Sequence, residues 1–382
     1  MTNRLVSVAA ALVGLATPAM SHAQSGSGSF VLRLGADTIA VESWTRAGNR
    51  IEGVLARRSP TTVLTRYVVT LNADNTIASF EQQSFRGDGT PAPNAPAPVT
   101  MTFTGDSLVR SVLQNGQPTA LRSAAPKSTI PGLALSSVIW NLQLAAARRG
   151  SDVYQIGFGP QQAAPTKVDL RLIGRDSAEL VAGGFRTGLK LDSRGSVKRY
   201  DGSLTTAKYI GSAERGVDVR AIAAAWAARD AAGTGLGAAS TRDTARALIG
   251  GANVWIDYGR PAKRGRDIWG VLVPFDTTWR FGANAATQLQ TDKDLEINGV
   301  TVPAGKYTLF LYPTRNKTEL IVNSQTGQWG TAWDTSKDVV RITLDRAESF
   351  PSFEERFTIR LSGDMLTVHW DRSGYTARIR EK

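Results

Sequence analysis

Residues 294–302 read Asp-Leu-Glu-Ile-Asn-Gly-Val-Thr-Val, and this stretch decides the fold class of the C-terminal part of the chain. Apolar residues alternate with polar ones on both sides of Asn298-Gly299. An Asn-Gly pair between two alternating runs is typical of a two-residue β-hairpin, because the turn needs a positive φ at both positions. The stretch therefore predicts two short antiparallel strands.

The same alternation extends outward from this hairpin over residues 241–382. Gly250-Gly251 separates two longer alternating runs and predicts a second hairpin. Further alternating runs follow at 307–312, 320–323, 339–344, 357–361, 365–370 and 375–379. About nine strands without a long helix predict a β-sandwich or a closed barrel.

Residues 30–215 predict a second β-rich part. Short alternating runs are separated by glycine, asparagine and aspartate, and this pattern favours an antiparallel sheet with one buried face. Leu135, Ile139 and Leu142 recur at helical spacing before Gly150, a residue suited to end a helix. We expect an antiparallel sheet or half-barrel that contains one or two helices.

Residues 216–240 combine a helix with a linker. Asp218 is a suitable N-cap, and the residues that follow share one apolar helix face, namely Val219, Ile222, Ala223 and Trp226. The glycines that follow are spaced for neither a dinucleotide fingerprint nor a phosphate loop. We therefore expect this segment to join two β domains, the second a β-sandwich over residues 241–382.

The start of the chain predicts export. Arg4 is followed by an apolar run over residues 6–16 and by the small-residue motif Ser21-His22-Ala23, as in a signal peptide. The run is shorter than the roughly 20 apolar residues that span a bilayer. We expect a signal peptide over residues 1–23, a flexible leader over residues 24–29, and a periplasmic or secreted mature protein without a transmembrane segment.

The amino-acid composition limits the kinds of catalytic and metal-binding site that the protein can have. The 382 residues include no cysteine and two histidines, which excludes thiolate chemistry and disfavours a histidine-rich metal site or a Ser-His hydrolase. No catalytic residue, metal ligand or cofactor site is predicted. The net charge of +12 indicates association with anionic envelope surfaces, whereas nucleic acid is a poor partner for an exported protein.

A series of short motifs gives residues 241–380 a family resemblance. The motifs are Tyr258-Gly-Arg-Pro261, Arg264-Gly-Arg266, Ile268-Trp-Gly270, Leu272-Val-Pro274, Thr278-Trp-Arg280, Gly282-Ala-Asn284, Pro303-Ala-Gly305, Gly327-Gln-Trp-Gly330 and Val368-His-Trp-Asp371. In this order they resemble a bacterial family of unknown function, domain-of-unknown-function family 2911. The resemblance implies a compact, exported β domain and no particular activity. Residues 30–210 are only loosely similar, in architecture, to half-barrel carriers of the bacterial envelope.

The strongest candidate for a ligand site is an arginine-rich and tryptophan-rich part of this domain. Arginine forks pair two acceptor oxygens at once, and tryptophan stacks on rings, although both residue types also serve purely structural roles. The candidate ligand-binding residues are Arg260, Arg264, Arg266, Trp269, Trp279, Arg280, Asn284, Gln328, Trp329 and Trp333.

Three functions remain open at the level of sequence. The favoured one is non-enzymatic binding of an anionic or carbohydrate-like ligand by the C-terminal domain. The first alternative is an envelope carrier with an apolar ligand in the N-terminal half-barrel around Trp140. The second is a hydrolase that uses two carboxylates, for which the candidates are Asp276, Glu354, Glu355, Asp364 and Asp371. His369 is expected to be an exposed strand residue. The sequence does not specify an oligomeric state.

Export can be tested directly. We expect cleavage after Ala23, so that the mature protein begins at Gln24. N-terminal sequencing of protein from a cell fraction outside the cytoplasm checks this expectation. Recovery of a chain that still begins at Met1 would contradict it.

Overall fold

A computed structural model describes residues 25–382, apart from 92–97, 115–116, 159–161, 163 and 183–184. The predicted signal peptide over residues 1–23 lies outside the described residues. Two β-sheets account for most of the described chain, one of 15 strands and one of 11. The prediction of a mainly β protein with few helices is therefore confirmed.

The first strand of the chain lies in the middle of the N-terminal sheet. Hydrogen bonding runs from the eighth strand at one edge back to the first strand, then from the fifteenth strand back to the ninth at the other edge. All neighbours are antiparallel except the ninth and tenth. The strands are β1 (Ser25–Leu34), β2 (Asp37–Ala47), β3 (Arg50–Arg58), β4 (Thr62–Leu71), β5 (Ile77–Arg86), β6 (Val99–Thr104), β7 (Ser107–Gln114), β8 (Gln117–Ala124), β9 (Thr129–Pro131), β10 (Val153–Ile156), β11 (Thr166–Ile173), β12 (Ser177–Ala182), β13 (Phe185–Leu191), β14 (Val197–Asp201) and β15 (Tyr209–Ala213).

The predicted flexible leader over residues 24–29 is wrong from Ser25 onward. Ser25 to Ser29 form the first half of β1 and pair with β2. A Cβ added at Gly28 would lie 2.8 Å from Cζ2 of Trp44, so the missing side chain makes room for the indole. The glycines in this segment therefore allow close packing in a strand, although their composition is typical of a flexible chain.

A helix fills one face of the N-terminal sheet. Helix α1 (Ser137–Arg148) buries Ile139 and Leu142 as predicted, whereas Leu135 precedes the helix and has a φ of 68°. Trp140 packs edge-on against Phe30, with ring centroids 5.6 Å apart, and stacks on Tyr200 at 4.5 Å. Side chains of the helix and the sheet form one continuous core. The half-barrel that an apolar ligand would need is thus occupied by the protein's own side chains in the part of the chain described.

The start of α1 is fixed by a buried carboxylate. Glu42, only 1% exposed, accepts hydrogen bonds from the Tyr67 hydroxyl at 2.7 Å, the Ser136 hydroxyl at 2.5 Å, and the Ser137 N–H and hydroxyl at 2.7 and 2.5 Å. Burial raises the pKa of Glu42, and the hydrogen bonds oppose that rise. The carboxylate thereby binds one orphan N–H of the helix start and two neighbouring hydroxyls to a central strand.

A second helix covers the opposite face of the same sheet. Helix α2 (Val219–Ala231) begins after Asp218, whose carboxylate accepts from the N–H groups of Arg220 and Ala221. Its residues Val219, Ala223 and Trp226 are buried against apolar side chains of β1 to β4. The predicted N-cap and apolar face are confirmed.

The C-terminal sheet is strongly curved, because its last three strands fold back over its first two. β26 pairs with three other strands, and β24 packs on β16 and β17. Both predicted hairpins are present, and Asn298 and Gly299 have the positive φ values of 44° and 79° that their turn requires. The strands are β16 (Ser240–Ile249), β17 (Ala252–Pro261), β18 (Thr287–Thr291), β19 (Leu295–Ile297), β20 (Val300–Val302), β21 (Gly305–Pro313), β22 (Thr318–Asn323), β23 (Asp338–Ala347), β24 (Glu354–Ser362), β25 (Met365–Asp371) and β26 (Ser373–Glu381), with a short 3₁₀ turn at Thr335–Lys337.

The Glu42 network predicts a pH-dependent loss of stability. Glu42→Ala should lower the free energy of unfolding by about 3 kcal/mol, because buried donors lose their acceptor. Since the folded-state pKa of Glu42 is raised, its contribution is complete below the ordinary value of 4.5 and is lost as the pH rises through the folded-state pKa. The loss of unfolding free energy in the variant, measured by urea unfolding, should therefore shrink as the pH is raised above 4.5.

The matched control is Glu81→Ala, because Glu81 is an exposed carboxylate on β5 of the same sheet. It should change the free energy of unfolding by less than about 0.5 kcal/mol at every pH. The role assigned to Glu42 would be contradicted if Glu42→Ala lost no more unfolding free energy than Glu81→Ala, or if its loss grew as the pH was raised.

Candidate ligand site between the two domains

Arg264 joins the two domains. Its side chain is 8% exposed, and Nη2 donates to the carbonyl oxygens of Leu236 at 2.7 Å, Gly237 at 3.3 Å and Ala238 at 3.4 Å. Nη1 lies 3.4 Å from a carboxylate oxygen of Asp37 in the N-terminal domain. The predicted linker is therefore held in place by the domain that follows it. Arg264 therefore has a structural role in holding the linker.

A backbone hydrogen bond adds to this contact between the two domains, which we call the joint. The N–H of Ala36 donates to the carbonyl oxygen of Arg264 at 3.2 Å. A Cβ at Gly35 would lie 1.9 Å from the same oxygen, so only glycine allows the approach. Arg266 extends the contact, because its guanidinium donates to the carbonyl oxygens of Lys263, Ala262 and, across the joint, Ala207.

A cavity of about 370 Å³ opens beside this joint and is lined by both domains. Its volume is within the range of small-molecule sites. The N-terminal domain contributes Phe185, Leu204, Thr205, Thr206 and Lys208. The C-terminal domain contributes, among others, Arg266, Trp279, Arg280, Phe310, Trp333 and Trp370.

Two partly buried tryptophans, Trp279 and Trp333, form an apolar wall of the cavity, and the buried Trp370 supports Trp279. Trp279 lies against Trp370 with ring centroids 6.0 Å apart and an angle of 22° between the planes. Trp333 packs on Phe310 at 5.8 Å, and its Nε1 donates to a carboxylate oxygen of Asp338 at 2.9 Å. Because each ring is fixed by a neighbour, the wall is formed before any ligand arrives.

Arg280 is the unusual residue in this cavity. No hydrogen bond or ion pair joins its guanidinium to a described residue, and burial lowers its pKa. Its stem packs so closely that a Cβ at Gly330 would lie 2.9 Å from Cδ. The described lining also includes no aspartate, glutamate, asparagine or glutamine. Arg280 is therefore a partly desolvated cation that lacks a counter-charge from the protein.

Backbone strain is concentrated around this residue. Phe281, next to Arg280, has a φ of 49°, and Asn284 and Asp276 have φ values of 63° and 59°. A non-glycine residue in this region costs on the order of 1 kcal/mol, and such residues cluster at functional sites. The turn that presents Arg280 is thus maintained against a local cost.

Four of the ten predicted site residues line the cavity, namely Arg266, Trp279, Arg280 and Trp333. The others lie elsewhere and do not belong to its lining. Arg260 pairs with Asp243 at 2.9 Å and also donates to Thr358, so it supports the fold. Trp269 packs edge-on against Tyr375 in the core.

The last three candidates are outside the lining as well. Gln328 donates to the Thr308 hydroxyl at 3.1 Å. Asn284 is exposed, and Trp329 is 56% exposed near the cavity wall at Gly330. Sequence reasoning missed Lys208 and Leu204, because residues in a turn of the other domain carry no signal that places them beside Trp279.

Most of the carboxylates considered for a hydrolase are engaged in ion pairs or hydrogen bonds within the protein. Asp371 pairs with Lys263 at 2.8 Å, Glu354 pairs with Arg360, and Glu355 accepts from the Arg264 N–H at 2.8 Å. Asp276 and Asp364 complete the set. None of the five lines the cavity.

The expectation that His369 is exposed is wrong. It is 3% exposed beneath Phe350, with ring centroids 4.2 Å apart. The irregular segment between β23 and β24 places Phe350 over this strand, which period-two alternation does not reveal. His369 Nδ1 lies 3.4 Å from Nη1 of Arg360, so the imidazole belongs to a packed structural cluster.

Two further properties concern the described part of the chain. No group of three or more metal-ligating side chains comes together there. Likewise, neither of its helices has the length and apolarity needed to cross a membrane.

The two sheets with a cavity between them define a mainly β protein with a candidate small-molecule site. Residues 240–379 match the model of a family described as "Protein of unknown function (DUF2911)". The match begins with β16 and covers the C-terminal sheet, which confirms the resemblance derived from its motifs. No curated protein and no solved structure matches the chain.

The joint predicts protection of the linker from proteolysis. Arg264→Met keeps an apolar stem but removes the donors to Leu236, Gly237 and Ala238. Cleavage of residues 232–239 by elastase should accelerate about tenfold, because local opening becomes easier. Arg346→Met, at an exposed arginine of β23, should leave the rate unchanged. Equal rates for the two variants would show that Arg264 does not hold the linker.

Proposed function

We propose that this protein binds an organic anion in the cavity between its two domains and acts as a binding protein rather than as an enzyme. The proposal includes export to the periplasm or the outside of the cell, which is supported by the signal-peptide pattern of residues 1–23. The net charge of +12 is compatible with a neighbourhood of anionic envelope surfaces.

The observation that carries the proposal is the unpaired guanidinium of Arg280. A cation that is partly removed from water and has no counter-charge destabilises a folded protein. The cost is offset when an anion enters, because a guanidinium forms two parallel hydrogen bonds to a carboxylate, sulfonate or phosphate. A structural arginine of this domain, such as Arg260, has carboxylate and carbonyl partners instead.

The residues that line the cavity also indicate which kind of group carries the negative charge of the ligand. Trp279 and Trp333 provide partly exposed apolar surfaces in the same lining as Arg280, and the buried rings of Trp370 and Phe310 support them. Aromatic walls with few polar groups are typical of sites that bind a rigid apolar body and orient it by its charged end. We therefore favour an anion attached to an aromatic or similarly apolar body.

The other functions receive less support. A neutral carbohydrate is disfavoured, because the described lining has cations and threonine hydroxyls but no carboxylate or amide side chain for sugar hydroxyls. The five carboxylates considered for hydrolysis lie away from the cavity. A role as a carrier of an apolar ligand has less support, because side chains of α1 fill the core of the N-terminal domain where the ligand would bind.

A matched pair of probes tests the proposal. The wild-type protein should bind 1-naphthalenesulfonate with a Kd on the order of 10–100 µM in isothermal titration calorimetry. Neutral 1-naphthol has the same rings and should bind about tenfold more weakly. Arg280→Met should remove this preference for the anion and leave the affinity for 1-naphthol within about twofold.

Thermal unfolding separates binding from folding. Arg280→Met should unfold at the wild-type temperature or above it, because the variant loses an uncompensated cation. Arg346→Met serves as the control and should bind both probes like the wild type. Equal affinity of the wild-type protein for the two probes, or an unchanged preference in Arg280→Met, would refute the proposed function.

A further inference from the structure

We propose that Lys208 makes the cavity selective for a doubly charged anion, namely a phosphate monoester of an aromatic or similarly apolar group. This inference rests on the proposed function, since it concerns the ligand of the same cavity. Lys208 is in the N-terminal domain, on the turn between β14 and β15, and lines the cavity opposite the domain that carries Arg280.

The backbone at Lys208 is held in an unusual conformation. Its φ is 56°, in the left-handed region where lysine is rare. The turn is tied by hydrogen bonds from the Lys208 N–H to the Thr205 hydroxyl at 3.1 Å and from that hydroxyl to the Gly202 carbonyl at 2.7 Å. Glycine would adopt this conformation without strain. A strained lysine in a rigid turn beside a cavity indicates that the side chain is used.

The surroundings of the ammonium group are also unfavourable for a cation. Its Nζ donates to the Ser203 carbonyl at 2.8 Å, but no ion pair joins it to a described carboxylate. Burial lowers the pKa of Lys208, and the charge of Arg266 lowers it further. Arg266 in turn is partly desolvated and repelled by Arg264. Positive charge from both domains is thus collected at one cavity whose described lining contains no acidic side chain.

The two cations with unmet charge have complementary geometries. The flat guanidinium of Arg280 suits two oxygens of one anionic group, whereas the ammonium of Lys208 is a compact charge that accepts contact from any direction. A monoanion neutralises one of them. A phosphate monoester, which carries between −1.5 and −2 charges near pH 7, neutralises both and offers three acceptor oxygens.

Three probes test this assignment by calorimetry at pH 8. The wild-type protein should bind 1-naphthyl phosphate about tenfold more tightly than 1-naphthalenesulfonate, because the second charge meets Lys208. Inorganic phosphate lacks the rings and should bind about tenfold more weakly than 1-naphthyl phosphate. At pH 5 most of the phosphate ester carries one proton and is a monoanion like the sulfonate. The preference for the phosphate ester over the sulfonate should therefore fall to about twofold or less.

Two variants remove the charge in different ways. Lys208→Met keeps the length of the stem, and Lys208→Gly also relieves the backbone, so the latter should unfold at a higher temperature than the wild type. Both should lose the preference for 1-naphthyl phosphate while they still bind 1-naphthalenesulfonate. Lys198→Met changes an exposed lysine of β14 and should behave as the wild type.

The outcomes separate this inference from the proposed function. Binding of 1-naphthalenesulfonate that depends on Arg280, together with a phosphate preference that survives in both Lys208 variants, overturns the inference alone. Equal affinity for inorganic phosphate and 1-naphthyl phosphate overturns the assignment of an apolar body. Failure of the wild-type protein to bind either naphthyl probe overturns the proposed function itself.

Discussion

The contact between Arg264 and the linker is the constraint on which the candidate site depends. One guanidinium from the C-terminal domain holds three successive carbonyl oxygens of the linker and approaches Asp37 of the N-terminal domain. This contact keeps the turn with Lys208 opposite the turn with Arg280. Without it, each domain would present half of a lining to water, and neither half alone encloses a cavity of about 370 Å³.

The same region contrasts two uses of arginine. Arg264 and Arg266 are buried among carbonyl oxygens, so their charges are solvated by the backbone. Arg280 has no such partner in the described chain, and it follows that its desolvation is not compensated within the protein. Binding sites often retain groups that reduce the stability of the free protein, because those groups gain their partners from the ligand.

Much of the fold could be predicted from the sequence, because local patterns specify it. Asn298-Gly299 and Asp218 indicated a hairpin turn and a helix start through interactions with residues close in sequence. The leader was mispredicted, because the ring of Trp44 that orders Gly28 comes from the neighbouring strand. Lys208 was missed for a similar reason, since its position beside the cavity depends on how two domains meet.

The central position of β1 in the N-terminal sheet affects how the chain folds. β1 is among the first segments made, yet its second neighbour is β15, and Phe30 pairs with Ala213. Contacts so distant in sequence slow folding, since a long loop must close before they form. Until β15 arrives, one side of β1 is an unprotected edge that invites wrong pairing. This edge of β1 can be covered only when nearly the whole first sheet has been synthesised.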